Sequence, residues 1–234
     1  MNRLSRRTIS PAIALIGLMF TLAIIAAPPS LAEAAVTPIK LVAFGDSLTA
    51  GYQLKPESSF PAQLQVALRA KGYKIDVANG GVSGDTTANG LDRLEWTLQE
   101  GAGQGGADGV ILELGANDAL RGTDPKIPRA NLDKIVAALK AKHLDILLAG
   151  MRAPNNWGGE YKTAFDALYP DLAAKHGVAL YPYFLDGVRT NPELLQNDGL
   201  HPTAKGVAEI VARILPNVEA LIKTISERKS AAKN

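Results

Sequence analysis

The sequence predicts an α/β fold in which a parallel sheet is covered by helices on both faces. Three observations carry this. Short, almost continuously apolar segments alternate with longer ones whose apolar residues recur every three or four positions. Glycine-rich turns follow the apolar segments. The composition, 47% hydrophobic and 21% charged over 234 residues, supports one sizeable core and argues against disorder.

Residues 1–34 stand apart from this pattern. Arg3, Arg6 and Arg7 precede a charge-free, mostly apolar run from Pro11 to Ala27, and Ala32-Glu33-Ala34 makes a small-x-small cleavage signal. That order describes a secretory signal peptide, so the protein is expected in the periplasm or outside the cell, with no stable membrane insertion after cleavage. The run is at the lower limit for spanning a bilayer, which leaves an uncleaved anchor as the alternative. A single domain is expected over residues 35–225.

Ile39 to Phe44 is short and apolar and ends at Gly45, as a buried strand does. Pro61 to Lys71 has helical spacing through Leu64, Ala67 and Leu68, and Gly72 stops it. Lys74 to Ala78 is the second strand. Leu91 to Gln99 is helical through Leu91, Leu94 and Leu98, and the glycines from 101 to 106 read as a loop. Gly109 to Leu114 is the third strand. Pro128 to His143 is the clearest helix, with Leu132, Ile135, Val136 and Leu139 on one face. Leu144 to Ala149 is the fourth strand, Tyr161 to His176 a helix closed by Gly177, and Val178 to Tyr181 the fifth strand. A last helix runs from Thr203, a suitable N-cap, to about Ile222. The polar residues 226–234 are expected to fray.

Composition excludes several functions. There is no cysteine, which rules out a disulfide scaffold, a thiolate metal site and a cysteine nucleophile. Basic and acidic residues number 25 and 23, and without the leader they balance, so no nucleic-acid partner is expected.

In open parallel sheets, ligands bind beyond the carboxyl ends of the strands. Five loops fall on that rim: Gly45–Gly51, Asn79–Thr86, Gly115–Asp118, Arg152–Gly159 and Asp198–Pro202. Of three histidines, His143 and His176 end helices on the opposite rim, where an imidazole suits the helix carbonyls and dipole. His201 lies on the ligand rim, three residues after Asp198. In a turn that spacing lets a carboxylate hold one ring nitrogen while the other faces the site. A helix-capping aspartate beside a surface histidine is the plainer reading.

Ser47 directly follows a strand and suits a nucleophile activated by a base, or a helix N-cap. Its loop lacks both the Gly-x-Ser-x-Gly elbow and the Gly-Lys-Ser/Thr of a phosphate-binding loop. The backbone N–H groups of Ser47 and Gly84 and the amide of Asn117 are candidate donors to an oxyanion. Asn117 alone would read as an Asx-turn residue.

Together, Gly45-Asp46-Ser47-Leu48, Gly84 in Ser-Gly-Asp-Thr, Gly115-x-Asn117-Asp118 and Asp198-x-x-His201-Pro202 resemble the four blocks of the SGNH, or GDSL, hydrolase superfamily. Within it the chain is most similar to the bacterial thioesterase I / lysophospholipase L1 / arylesterase group. The resemblance implies a flavodoxin-like three-layer sandwich with a five-stranded parallel sheet ordered 2-1-3-4-5. It implies Ser47 as nucleophile, His201 as base and then acid, and Asp198 as the orienting carboxylate. Ser47, Gly84 and Asn117 would form the oxyanion hole. It implies no metal, no organic cofactor and a small-molecule or lipid acyl ester as substrate. The loop from Ala153 to Tyr161 matches in position one that helps bind acyl chains. A carbohydrate O-acetylesterase and a non-catalytic ligand-binding module are the alternatives.

Overall fold

The first apolar run becomes β1 (Ile39–Gly45). In the computed structural model, which describes residues 37–102 and 106–232, it leads into α1 (Ser47–Ala50), α2 (Phe60–Ala70), β2 (Ile75–Gly81) and α3 (Thr87–Ala102). Then come β3 (Gly109–Glu113), α4 (Ala116–Leu120), α5 (Lys126–Ala141), β4 (Asp145–Ala149), α6 (Gly159–Asp166), α7 (Leu168–His176), β5 (Ala179–Tyr181) and α8 (Ala204–Ala231). The expected signal peptide lies outside the described residues. No helix among the described residues is long and apolar enough to cross a membrane.

The strands form one parallel sheet in the order β2-β1-β3-β4-β5. The central strands are apolar on both sides because both faces are covered. Leu41 to Phe44 and Val110 to Leu112 are all buried. β2, at the edge, alternates buried and exposed residues along Ile75, Asp76 and Val77. α2 packs on α8, while α3, α5 and α7 pack together, giving the expected three layers. On α5 the buried Leu132, Ile135, Val136 and Leu139 form one stripe at helical spacing.

Several boundaries differ from expectation, each for a physical reason. The helix expected over Tyr161 to His176 is two helices meeting at Ala167. Pro170 is the third residue of α7; lacking an N–H, it is tolerated in a first turn and disfavoured inside a longer helix. α3 begins at Thr87 because the side chains of Thr86 and Asn89 each accept the other's backbone N–H, a reciprocal cap. Asp118 also accepts from the N–H and hydroxyl of Thr87, both at 2.8 Å. α3 runs through Ala102, into the expected glycine loop, whose residues 103–105 lie outside the described residues.

α8 continues to Ala231, past its expected end near Ile222. Ile225 is buried, and Arg228 and Lys229 reach the start of the sheet, pairing with Asp145 at 2.8 Å and Asp108 at 2.6 Å. Pro216 is accommodated inside α8 on the exposed side. The carbonyl of Ala212, which loses its helical partner, belongs to an exposed residue as well.

Gly45 ends β1 where the chain passes closest to β3. A side-chain carbon there would meet the Thr49 hydroxyl together with the backbone and carboxyl oxygens of Glu113. Gly45→Ala is therefore expected to lower unfolding stability by about 2 kcal/mol in urea titration. An unchanged midpoint would mean that the first loop yields to the methyl group.

Candidate active site

The first loop is shaped by a buried carboxyl rather than by the serine. Asp46 is the N-cap of α1 and accepts the Leu48 N–H at 3.0 Å. Ser47 is thus the first helical residue, and its hydroxyl is not spent on capping. It meets Nε2 of His201 at 2.9 Å, across 154 residues of chain. Nδ1 of His201 lies 2.6 Å from Oδ2 of Asp198.

Asp198 also organises its own turn, accepting the backbone N–H groups of Leu200 at 2.9 Å and His201 at 3.0 Å with Oδ1. Burial raises the Asp198 carboxyl, but these two donors and the imidazole outweigh it and lower the pKa to about 2. The other two histidines are elsewhere. His176 bonds Asp133 at 2.6 Å rather than helix carbonyls, and His143 follows α5 with a left-handed backbone.

Asn117 sits in α4, not in an Asx turn. Its amide donates to Oδ2 of Asp46 at 3.2 Å and to the carbonyl of Asp85 at 2.9 Å. Both its N–H groups thus have protein acceptors, and donation to a substrate oxygen requires sharing the longer bond. The backbone N–H groups of Ser47 and Gly84 donate to no protein acceptor among the described residues. Gly84 has φ +87°, a conformation glycine adopts without strain, and its carbonyl accepts from Arg121 at 3.1 Å. Ser47, Asn117 and His201 line one cleft of about 460 Å³, whose wall includes Leu48, Leu120, Met151, Leu185 and Leu200.

The loop after β4 closes one side of that cleft. Trp157 donates its indole N–H to the carbonyl of Ala119 at 2.9 Å, and its ring fills the space beside Gly122. The loop is therefore tied to α4.

Four further groups support the site, and the roles of none of them follow from sequence spacing. The ring of Tyr52 lies 4.4 Å from that of His201, centroid to centroid. The side-chain amide of Gln196 donates to the carbonyls of Tyr52 and Pro202, both at 2.9 Å, bracing the histidine turn. Arg93 joins Asp85 at 2.5 Å to the carbonyls of Gly45 at 2.8 Å and Gly80 at 2.9 Å. Glu113 is wholly buried; Oε2 accepts from the Thr49 hydroxyl at 2.8 Å, and Oε1 has no hydrogen-bond partner among the described residues. Glu113 leaves a sequence signal, a carboxyl within an otherwise apolar strand.

Burial, and then the neighbouring Asp46 charge, push the Glu113 carboxyl well above the usual range. Asp46 is itself raised to about 7, chiefly by burial, against the pull of the Leu48 N–H and the Asn117 amide.

The sequence model of the GDSL-like lipase/acylhydrolase family matches residues 43–208. An arylesterase of Vibrio mimicus is 43% identical over 179 residues, 75% of this chain and 88% of that protein. Thioesterase 1/protease 1/lysophospholipase L1 of Escherichia coli K12 is 38% identical over 162 residues, 69% and 74% of the two chains. The crystal structure of AlinE4, an SGNH-hydrolase family esterase, superposes with a TM-score of 0.67 at 44% identity, covering 79% of this chain and 97% of its own.

A carboxyl whose folded pKa is raised stabilises most below its unfolded value, about 4.3 for glutamate, and progressively less as pH rises toward the folded value. Glu113→Gln, neutral at every pH, is expected to make the downward slope shallower, leaving the part due to the raised Asp46 carboxyl. Urea midpoints measured from about pH 5 to about pH 8 test this, and equal slopes in both proteins would show that Glu113 ionises in the fold.

Proposed function

The chain belongs to the GDSL-like lipase/acylhydrolase family and is an ester-hydrolysing serine hydrolase, and on that premise we propose that Ser47, His201 and Asp198 carry the reaction. The observation that supports this is the continuous line from hydroxyl to imidazole to carboxylate, 2.9 Å and then 2.6 Å.

Ser47 Oγ attacks the acyl carbonyl carbon while Nε2 of His201 takes the hydroxyl proton. The carbonyl oxygen gains negative charge and is met by the N–H groups of Ser47 and Gly84 and the amide of Asn117. Nε2 then returns its proton to the departing alcohol or thiol, leaving an acyl group on Ser47. Water, deprotonated by His201, attacks this acyl-enzyme and releases the acid and the free serine. Asp198 stays ionised throughout. It fixes the tautomer with the proton on Nδ1 and stabilises the imidazolium.

The apolar wall of the cleft suits hydrocarbon acyl chains rather than acetylated sugars. By this reading the substrates are arylesters, lysophospholipids and acyl thioesters. The leader motif of residues 3–34 supports action in the periplasm or outside the cell, which N-terminal sequencing of the exported protein would test.

Ser47→Ala is expected to remove hydrolysis of a short p-nitrophenyl ester and labelling by a fluorophosphonate; near-wild-type turnover would refute the nucleophile. Asn117→Ala should reduce turnover by roughly 10²–10³ if its amide serves the oxyanion. A loss under about tenfold would leave it the structural role of bridging Asp46 and Asp85. Activity should fall on acidification because a protonated imidazole cannot accept the serine proton. Asp198, lowered to about 2, remains charged through weak acid and cannot produce that fall. A pH–rate profile flat down to about pH 4 would contradict His201 as base.

A further inference from the structure

The arginines of the described chain divide by location. Arg69, Arg93, Arg129, Arg213 and Arg228 each pair with a carboxylate. Arg121, Arg152 and Arg189 make no salt bridge among the described residues, and two of them, Arg152 and Arg189, line the cleft. Arg121 holds the carbonyl of Gly84. Arg152 and Arg189 line the cleft itself, with Ser47 and His201.

Their surroundings leave both charges available. The guanidinium of Arg152 lies 4.7 Å over the ring of Tyr183, which also lines the cleft. Arg189 donates to the carbonyl of Gly199 at 3.2 Å. Burial raises the Tyr183 phenol, and both arginine charges oppose that rise, so both act on the same spot. The nearby carboxylates are engaged elsewhere, Asp166 by Lys162 at 2.6 Å and Asp186 by Arg213 at 2.9 Å. Lys162, the other cation of the cleft wall, is thereby neutralised.

Resting on the hydrolytic reading above, we propose that the cleft selects acyl esters that carry an anionic group, a carboxylate or phosphate, remote from the scissile carbonyl, with Arg152 and Arg189 as its receptor. The fold sets the separation. Ser47 follows β1, Arg152 follows β4 and Arg189 follows β5, two and three strands away. At ~4.8 Å per strand the anion site lies roughly 10–14 Å across the rim from the nucleophile. The apolar wall accommodates the intervening chain, and the planar guanidinium forks suit an oxyanion bidentately. An uncharged ester gains nothing from two cations whose hydration it displaces.

The test compares matched esters. One pair carries the charge on the acyl side: the p-nitrophenyl monoester of a medium-length diacid against that of the monoacid of equal chain length. The other carries it on the alcohol: 4-carboxyphenyl butyrate against phenyl butyrate. The quantity read is kcat/KM for the charged ester over the neutral one, in wild type and in Arg152→Gln/Arg189→Gln. Differences in intrinsic reactivity cancel between proteins. The double variant is expected to lower this ratio about tenfold in one pair, and the pair affected tells which side of the ester bears the anion. Added salt should lower the wild-type ratio and leave that of the variant unmoved. Ratios within about twofold of wild type in both pairs would overturn the proposal. Ser47→Ala should abolish turnover of every ester. Were it to spare them, the nucleophile assignment would fall while the arginine comparison still stood on its own ratio.

Discussion

The parallel register of β1 against β3 sets the serine side of the cleft. It places Gly45 opposite Glu113, so the two loops that follow, bearing Ser47 and Asn117, leave the sheet side by side. Because Gly45 has no side chain, the Thr49 hydroxyl and the Glu113 carboxyl occupy the gap between the strands. Arg93 then locks the neighbouring strand ends, taking the carbonyls of Gly45 and Gly80 and the carboxylate of Asp85 in one guanidinium. A cation so enclosed is stable only while its partners are complete. The arrangement therefore behaves as a unit, and removing one member strands the others.

The two sides of the site are built differently. The serine side is a short helix over a buried polar cluster, where both Asp46 and Glu113 hold raised pKa values because water is excluded. The histidine side is a turn at the surface. Its order comes from hydrogen bonds of Asp198 and Gln196 and from the Tyr52 ring against the imidazole. A buried serine hydroxyl thus faces a more exposed imidazole. The tie between Trp157 and α4 likewise couples the loop after β4 to the helix that carries Asn117.

Much of this was legible in the sequence. The alternation of apolar runs and helical spacings placed five strands and the principal helices, and the resemblance supplied their order. The rule that ligands lie beyond the strand ends separated His201 from His143 and His176. What escaped was set by contacts between distant residues. The extension of α8 depends on Asp108 and Asp145, more than eighty residues before their partners. Tyr52, Gln196 and Arg93 occur in ordinary polar contexts and acquire meaning only once the strand ends are side by side. The break at Ala167 was visible as Pro170, but the apolar spacing on either side of it carried more weight than one ring. The division of the arginines is a property of partners in space, and no spacing along the chain encodes it.

The stapled end of α8 has a practical corollary. Arg228 and Lys229 fasten that end of the helix beside the residues that open β3 and β4, at the opposite end of the parallel strands from Ser47. A bead, electrode or carrier protein coupled through the last turn would sit at the opposite strand ends from the Ser47 cleft. The mouth of the cleft would then point outward into the medium, giving a uniformly oriented immobilised catalyst with unobstructed access for bulky reactants.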